Sequence, residues 1–215
     1  MNKIVIINTG SSNLLSLKRA IELFDQNVVI SDNADQILSA SRVFFPGVGA
    51  FKRVMDNLIE KKIVDILLNI KKKEIPLLGI CLGLQLMFDN SQEFGNNKGL
   101  GLINGDVNLL PNLTIENKKI KVPNIEWVKL IINKKFKNKK TSNFLKNLNT
   151  DERFYFIHSY YVNPTNEEEI LAYYNFGGHH IPAIVSKNNM IGCQIHPEKS
   201  GKQGLNLISN FLKFE

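Results

Sequence analysis

Pro76-Leu-Leu-Gly-Ile-Cys81-Leu-Gly-Leu-Gln85 is the stretch that decides the fold. The apolar run before the cysteine predicts a short strand of a parallel sheet that is covered on both faces. Gly79 and Gly83 lie two residues before and after Cys81, which is the spacing of a nucleophile elbow between a strand and a helix. Small residues allow the tight turn, and N–H groups at the helix start favour a thiolate. A buried core cysteine is the alternative.

Alternating strand and helix signals precede this stretch. We predict strands over 3–8, 27–30 and 42–45, a helix capped by Ser12 or Asn13 that ends near Phe24, a short helix within 32–40 and a long helix over 50–72. These spacings indicate βαβ units and therefore a parallel sheet.

The second half of the chain has a different pattern. Glycines interrupt it after Phe94, and short β-rich pieces follow to about Ile132. We predict a short helix within 142–148, a strand over 154–158 and a final helix over 202–212. Further strands, with antiparallel pairing, are predicted over 170–175, 183–185 and 190–195. No internal repeat and no domain linker is evident, so a single domain over 1–215 is expected.

Composition narrows the class of protein. The 215 residues and 43% hydrophobic content suit one α/β domain, and no run approaches a transmembrane helix in length. The N-terminus leads directly into a strand, so no signal peptide is expected. Two cysteines, Cys81 and Cys193, form no disulfide framework, and this predicts a cytoplasmic location.

The net charge of +7 raises the question of nucleic-acid binding. The Lys-rich stretch from Lys134 to Lys140 contains one aromatic residue, Phe136, so we interpret it as a solvated loop. No nucleic-acid partner and no membrane partner are expected. A basic face can also bind an acidic protein.

His196-Pro-Glu198 is a second chemical feature. Side chains two positions apart in an extended segment point to the same face, and a residue before proline favours extended geometry. The carboxylate can then fix the imidazole tautomer and support its charged form. An ordinary surface His–Glu pair is the alternative, but the cysteine elbow favours a nucleophile, a base and an orienting carboxylate.

Pro46-Gly-Val-Gly49 follows the third predicted strand, at the edge where open α/β sheets bind ligands. Glycines there allow backbone N–H groups to face a substrate, as an oxyanion hole requires. A plain strand-to-helix connection is the alternative for this turn.

Together, Gly79-Ile-Cys-Leu-Gly-Leu-Gln85 and His196-Pro-Glu198 resemble the motifs of class I, triad-type glutamine amidotransferases. Three longer stretches resemble the HisH glutaminase subunits of imidazole glycerol phosphate synthase: Pro46-Gly-Val-Gly-Ala-Phe51, Phe154-Tyr-Phe-Ile-His-Ser-Tyr-Tyr161 and Gly192-Cys-Gln-Ile-His-Pro-Glu-Lys-Ser-Gly201. The resemblance spans nearly the whole chain. It implies a three-layer α/β fold with a mixed, mostly parallel sheet flanked by helices and a flavodoxin-like core.

The resemblance also implies roles for individual residues. Cys81 would attack the side-chain amide carbon of glutamine. His196, oriented by Glu198, would protonate the departing ammonia and then activate water to hydrolyse the γ-glutamyl thioester. The oxyanion would be held by Val48, Gly49 and Leu82. The glutamine ligand would contact Gly49, Gln85, Glu93, Ser159 and Tyr160.

A partner is implied as well, because ammonia must travel through a dry passage to remain an unprotonated nucleophile. The chain contains no P-loop and no dinucleotide motif, so the acceptor chemistry is expected on another subunit. In the family this is a (β/α)8 barrel cyclase of the HisF type, which forms a heterodimer with the glutaminase in histidine biosynthesis. Asn13 and Trp127 are expected to face the barrel. No cofactor is expected.

Two segments depart from the family pattern. In Val122–Val128, Asn124, Glu126 and Val128 replace the usual His, Gly and Asn, and Asn8–Asn13 also differs; both segments are expected on the partner face. A second hypothesis is therefore a paralogous subunit that supplies ammonia for amidino groups on surface-polysaccharide or flagellar sugars. A third is a non-catalytic regulatory protein, but such proteins usually lose the nucleophile that this chain retains.

Smaller predictions concern the remaining candidates. Cys193 is predicted to be a buried thiol without a catalytic role, and His158 either lines the glutamine pocket or packs at a strand end. His179 and His180 form no closed ligand set, so no metal is expected. Pro46–Gly49 is the segment expected to move on activation.

Overall fold

The computed structural model of the protein describes residues 3–10, 13–24, 26–136, 143–149 and 151–214. The predictions made for Ser12, for the Lys-rich positions 137–140 and for the helix start at 142 lie outside these residues. None of the helices that the structure describes is long and apolar enough to cross a membrane.

Six α-helices occur in the described ranges. They are α1 (Leu14–Glu22), α2 (Ala34–Leu38), α3 (Phe51–Glu60), α4 (Ile63–Lys72), α5 (Leu82–Leu86) and α6 (Gly201–Leu212). Three short 3-10 turns lie at Asn143–Leu145, Glu167–Glu169 and Pro197–Lys199. The short helix predicted within 142–148 is therefore limited to one such turn in the described part.

The predicted long helix over 50–72 is wrong, because the chain breaks between α3 and α4. Lys62 has a φ of 56°, in the left-handed region, and this ends the helical geometry. Leu58 and Ile63 are both fully buried on the two sides of the break. In one continuous helix they would point about 140° apart, so the break lets both helices turn their apolar sides to the sheet.

Fourteen β-strands occur in the described residues. They are β1 (Lys3–Ile7), β2 (Asn27–Ser31), β3 (Arg42–Gly47), β4 (Leu77–Cys81), β5 (Asn90–Ser91), β6 (Asn97–Lys98), β7 (Gly105–Leu109), β8 (Asn124–Lys129), β9 (Ile131–Ile132), β10 (Arg153–His158), β11 (Tyr160–Pro164), β12 (Ile170–Phe176), β13 (His179–Lys187) and β14 (Met190–Cys193).

The main sheet has the strand order β2-β1-β3-β4-β14-β13-β12-β9 within the described residues. The first five strands run parallel, and the last three continue the sheet with antiparallel pairing. Strand β14 returns from the end of the chain to lie beside β4, with Cys193 opposite Ile80. This return brings the His196 segment beside the cysteine elbow.

Two apolar clusters cover the two faces of the main sheet. Along β1, Ile4 and Ile6 belong to one cluster, whereas Val5 and Ile7 belong to the other. Helices α1 and α6 pack on the first face, and α2 to α5 pack on the second. The prediction of a three-layer α/β fold with a mixed, mostly parallel sheet is thereby confirmed.

Candidate active site

The cysteine elbow lies between β4 and α5, where Cys81 has φ 54° and ψ −111°. A non-glycine residue in this region is strained, as at a nucleophile elbow. Gly79 and Gly83 have no positive φ, so they permit the turn through their small size and not through a left-handed conformation. A Cβ on Gly83 would lie 1.8 Å from the Phe45 carbonyl oxygen, so glycine is required there for close packing of α5 on β3.

His196 and Glu198 form a buried pair beside the elbow. Nδ1 of His196 lies 2.9 Å from Oε1 of Glu198, and the two side chains are 5% and 3% exposed. Burial alone would lower the pKa of His196, but interactions with the Cys81 sulfur and the Glu198 carboxylate raise it to about 10. No described residue meets both the distance and the angle limits of a hydrogen bond with Nε2 of His196. This nitrogen is therefore available for proton exchange in the cavity.

Asn13 contacts the same carboxylate. Its Nδ2 donates a hydrogen bond of 2.7 Å to Oε1 of Glu198. Sequence reasoning assigned Asn13 to the partner face and missed this contact, because the two residues are 185 positions apart. Glu198 therefore receives donors from both His196 and Asn13, which fix the carboxylate in place.

A cavity of about 420 Å³ opens above the elbow. Ten of the predicted site residues line it: Asn13, Val48, Gly49, Cys81, Leu82, Gln85, Glu93, Ser159, Tyr160 and His196. The structure thus brings together residues predicted for the nucleophile, the oxyanion hole and the glutamine ligand. Glu198 contributes through His196, and Trp127 lies on β8 with 47% of its surface exposed.

Only half of Pro46–Gly49, the segment predicted to contribute N–H groups to an oxyanion hole, lies outside the sheet. Pro46 and Gly47 belong to β3 and pair with Ile80 and Cys81 of β4. Val48 and Gly49 follow the strand, and Gly49 has a φ of 109°, which favours glycine. The movement of Pro46–Gly49 on activation stays a prediction, and Val48 and Gly49 are the part of that segment outside the sheet.

Polar contacts hold the walls of the cavity. Nε2 of Gln85 donates to the Tyr160 carbonyl at 2.8 Å and to Oε1 of Gln194 at 3.0 Å. Oε2 of Glu93 accepts a hydrogen bond of 2.6 Å from the backbone N–H of Phe51, at the start of α3. The proposed contacts of Gln85 and Glu93 with glutamine remain predictions, and both side chains also have these structural contacts.

His158 both lines the cavity and packs at the end of β10, so the two alternatives for it are compatible. Its Nδ1–H donates to the Tyr160 carbonyl at 2.9 Å, and its Nε2 accepts from the Tyr174 hydroxyl at 3.0 Å. Burial lowers the pKa of His158 to about 4. The ring is therefore neutral near pH 7, in one fixed tautomer.

The segment that departs from the family pattern is divided by the fold. Asn124 is 2% exposed and pairs with His158 across β8 and β10, and Val128 packs against the core. The expectation that the whole segment lies on the partner face is therefore wrong for these two residues. Glu126 and Trp127 are exposed.

Aromatic contacts extend from this surface to His196. The rings of Trp127 and Tyr155 are 5.6 Å apart, and those of Tyr155 and His196 are 6.4 Å apart. Nζ of Lys199 lies 5.7 Å from the centre of the Tyr155 ring. An exposed tryptophan is thus connected to the His196 imidazole through one intervening ring.

Two further observations concern the remaining candidates. Cys193 is fully buried, and burial raises the pKa of its thiol well above the ordinary value. Across the described residues, no group of three or more His, Cys, Asp or Glu side chains has the arrangement of a metal site.

Comparison with known proteins gives full-length matches. Residues 5–214 match the family described as Glutamine amidotransferase class-I. Imidazole glycerol phosphate synthase subunit HisH 1 of Legionella pneumophila (strain Lens) is 38% identical, over 99% of this chain and 100% of the relative. The HisH subunit of Lactococcus lactis subsp. lactis (strain IL1403) is 38% identical over 99% of each chain, and that of Methanocaldococcus jannaschii is 36% identical over 97% of each.

Solved structures share the fold at lower identity. A crystal structure of a glutamine amidotransferase superposes with a TM-score of 0.70 and 15% identity, over 98% of this chain and 97% of that one. PurLQS from Thermotoga maritima superposes with a TM-score of 0.69 and 18% identity, over 99% and 98%. The family resemblance derived from the motifs is confirmed: the chain belongs to the class-I glutamine amidotransferase family, together with the HisH subunits.

Proposed function

We propose that this protein is the glutaminase subunit of an imidazole glycerol phosphate synthase and supplies ammonia for histidine biosynthesis. The observation that carries the proposal is the placement of Cys81 and His196 on one cavity, with Glu198 bonded to the imidazole. The full-length similarity to HisH subunits supports the choice of pathway. A single domain in the cytoplasm is part of this proposal.

The chemistry has two stages. In the first, the Cys81 sulfur forms a bond to the side-chain carbonyl carbon of glutamine, and N–H groups of Gly49 and Leu82 hold the oxyanion. The C–N bond then breaks as His196 gives a proton to the leaving nitrogen, so that ammonia departs. In the second stage, His196 takes a proton from water, the water oxygen attacks the thioester, and the C–S bond breaks to release glutamate.

Glu198 supports both stages by holding the imidazole. Its Oε1 accepts the Nδ1–H bond of His196, so the other ring nitrogen is directed to proton transfer. The raised pKa of His196 means that a proton is available for the departing ammonia at neutral pH. Glutamine itself would lie against Gln85, Glu93, Ser159 and Tyr160 in the cavity.

The partner in this proposal is a (β/α)8 barrel cyclase of the HisF type, bound as a heterodimer. Ile125, Trp127 and Ile157 form an exposed apolar patch on β8 and β10, with exposures of 53%, 47% and 39%. Ile157 also lines the cavity, so the patch borders the site where ammonia is released. Covering this patch would exclude water from the exit.

Glutamate release from glutamine tests the proposed chemistry. We expect Cys81→Ala to abolish release, and Cys193→Ser to retain it, because Cys193 is buried on β14 and is not among the residues that line the cavity. Release by a folded Cys81→Ala variant at the wild-type rate would refute the assignment of the nucleophile. A Cys81→Ala variant that is indistinguishable from the wild type in the biological assay, with no glutamate released by either protein, would revive the hypothesis of a non-catalytic protein on this scaffold.

Sugar amidation remains the second candidate function, because one observation favours it. Glu126 replaces the usual glycine and is exposed on β8, between Ile125 and Trp127 of the patch proposed to meet the partner. A carboxylate there requires a complementary group on the other protein. If the purified chain binds its organism's histidine-pathway cyclase and turns over glutamine with it, the sugar-modifying alternative fails.

A further inference from the structure

Gln194 is a buried polar residue without a role in the chemistry described so far. It follows β14 and lies two positions before His196, and its exposure is 0%. Its backbone N–H donates to the Ala183 carbonyl at 2.8 Å, so the main chain is fixed. A buried amide must satisfy its hydrogen-bonding atoms within the protein, and the partners of this amide are therefore informative.

The orientation of the Gln194 amide is set by Gln85. Nε2 of Gln85 can only donate, and it bonds both the Tyr160 carbonyl and Oε1 of Gln194. A flipped Gln194 would place two NH₂ groups against each other. The oxygen of Gln194 must therefore face Gln85, and its NH₂ group is directed to the Cys81 sulfur at 3.6 Å.

We propose that Gln194 is a catalytic residue whose side-chain N–H donates to the Cys81 sulfur and stabilises the thiolate. This inference rests on the proposed function of Cys81. A hydrogen bond to an ionised acceptor is stronger than one to a neutral acceptor, and the buried site strengthens it further. The Ile157 carbonyl, 3.9 Å from the sulfur, accepts from the thiol and favours the protonated form, so a donor on the sulfur opposes it.

The amide would act twice in the reaction. Before the attack it favours the thiolate, whose electron pair becomes the C–S bond to the glutamine carbon. In the acyl-enzyme that pair is shared with carbon, and the N–H···S interaction weakens. When water attacks and the C–S bond breaks, the pair returns to sulfur, and Gln194 stabilises the leaving thiolate.

The pH dependence of Cys81 alkylation by iodoacetamide tests the proposal without requiring a partner subunit. Gln194→Met removes the donor at nearly constant volume, and we expect the alkylation midpoint to rise by about one pH unit. Gln194→Glu keeps the acceptor for Gln85 and replaces the donor with a carboxylate, so its midpoint should rise further. Gln36→Met, at an exposed position of α2, is the matched control and should leave the midpoint unchanged. A folded Gln194→Met protein with the wild-type midpoint would overturn the proposal.

A second measurement uses the wild-type chain and does not depend on a variant's folding. In protein labelled with ¹⁵N-glutamine, the side-chain N–H resonances of Gln194 should shift with pH at the Cys81 alkylation midpoint. Resonances that do not respond to pH would overturn the proposal. Glutamate release, measured with the cyclase and its acceptor present, distinguishes the two claims. Release without these shifts leaves the proposed function standing, whereas the shifts without release refute that function and support only the N–H···S contact.

Discussion

Replacing Glu198 with glutamine removes the charge that holds His196 while preserving the shape of the side chain. Oε1 accepts from His196 at 2.9 Å and from Asn13 at 2.7 Å, whereas Oε2 is buried without a hydrogen-bond partner among the described residues. A glutamine at position 198 can keep its oxygen toward both donors, but the bonds are then no longer to an ionised acceptor. If the amide flips instead, its NH₂ group opposes Nδ1–H and favours the wrong imidazole tautomer.

The magnitude follows from the lost charge. Hydrogen bonds to charged groups contribute about 1.5–3 kcal/mol, and about 1.36 kcal/mol is a tenfold change, so glutamine hydrolysis should fall about 10- to 150-fold. The pKa of His196, about 10 in the wild type, should fall, and the alkaline limb of the kcat/KM profile should move to lower pH. The raised pKa contributes stability below about pH 6.5 that is lost as pH rises through about 10. Glu198→Gln should therefore destabilise the protein more at pH 6 than above pH 10.

Steady-state glutamate release between pH 6 and 10.5, about the range over which His196 is proposed to titrate, measures the fall in rate and the shift of the alkaline limb. Glu116→Gln makes the same charge change at a side chain that is 68% exposed, and it should leave the profile unchanged. A folded Glu198→Gln protein with wild-type rates and an unmoved alkaline limb would refute the orienting role.

The remaining predictions concern packing, pH and positioning. Gly83→Ala places a methyl group 1.8 Å from the Phe45 carbonyl oxygen, so unfolding should become easier by about 1–3 kcal/mol and hydrolysis should fall about 100-fold. Because the pKa of His158 is lowered from 6.5 to about 4, the wild type should lose up to about 3 kcal/mol of stability as pH falls through that interval, and urea unfolding of His158→Gln should lack this loss. Asn13→Ala, which removes the 2.7 Å bond to Glu198, should lower kcat about tenfold with KM for glutamine little changed.

Each of these predictions has a control and a contradicting result. Gly95→Ala adds its methyl group to open space but at a φ of 120°, so it should cost stability through backbone strain and still keep the wild-type rate. A fully active Gly83→Ala would contradict the packing argument. His180→Gln, at an exposed position, should retain the wild-type pH dependence of stability. If His158→Gln also retains it, the buried His158 is not the cause of the stability loss at low pH. Asn96→Ala is the exposed match for Asn13→Ala, and equal kcat values for the two variants would refute a role of Asn13 in positioning Glu198.

Local patterns were sufficient to predict the elements that carry the chemistry. The apolar run before Cys81 predicted the central strand, and the His196-Pro-Glu198 motif predicted that the two side chains meet. The reason given for that meeting was wrong beyond His196, because Pro197–Lys199 is a 3-10 turn and not an extended segment. Contacts that depend on strand order were not predictable in this way. Gln194 reaches the Cys81 sulfur because β14 lies beside β4, and Asn13 reaches Glu198 across most of the chain length.

Backbone details were the other limit of sequence reasoning. The break between α3 and α4 depends on Lys62 adopting a left-handed conformation that its residue type disfavours. The need for glycine at position 83 arises from the approach of α5 to β3, which is a tertiary contact. The buried position of Asn124 also depends on tertiary packing, because the same strand exposes its neighbours Ile125 and Glu126.

Glutamate release with and without the organism's own histidine-pathway cyclase and its ribonucleotide acceptor is the most direct test of the proposed function. Strong stimulation when both are present, abolished by Cys81→Ala, is the predicted result. Absence of stimulation in a folded protein whose Cys81 still reacts with a glutamine-analogue inhibitor would contradict it. The chain would then be a competent glutaminase for a different synthase, and Glu126 would be the first residue to examine on the partner surface.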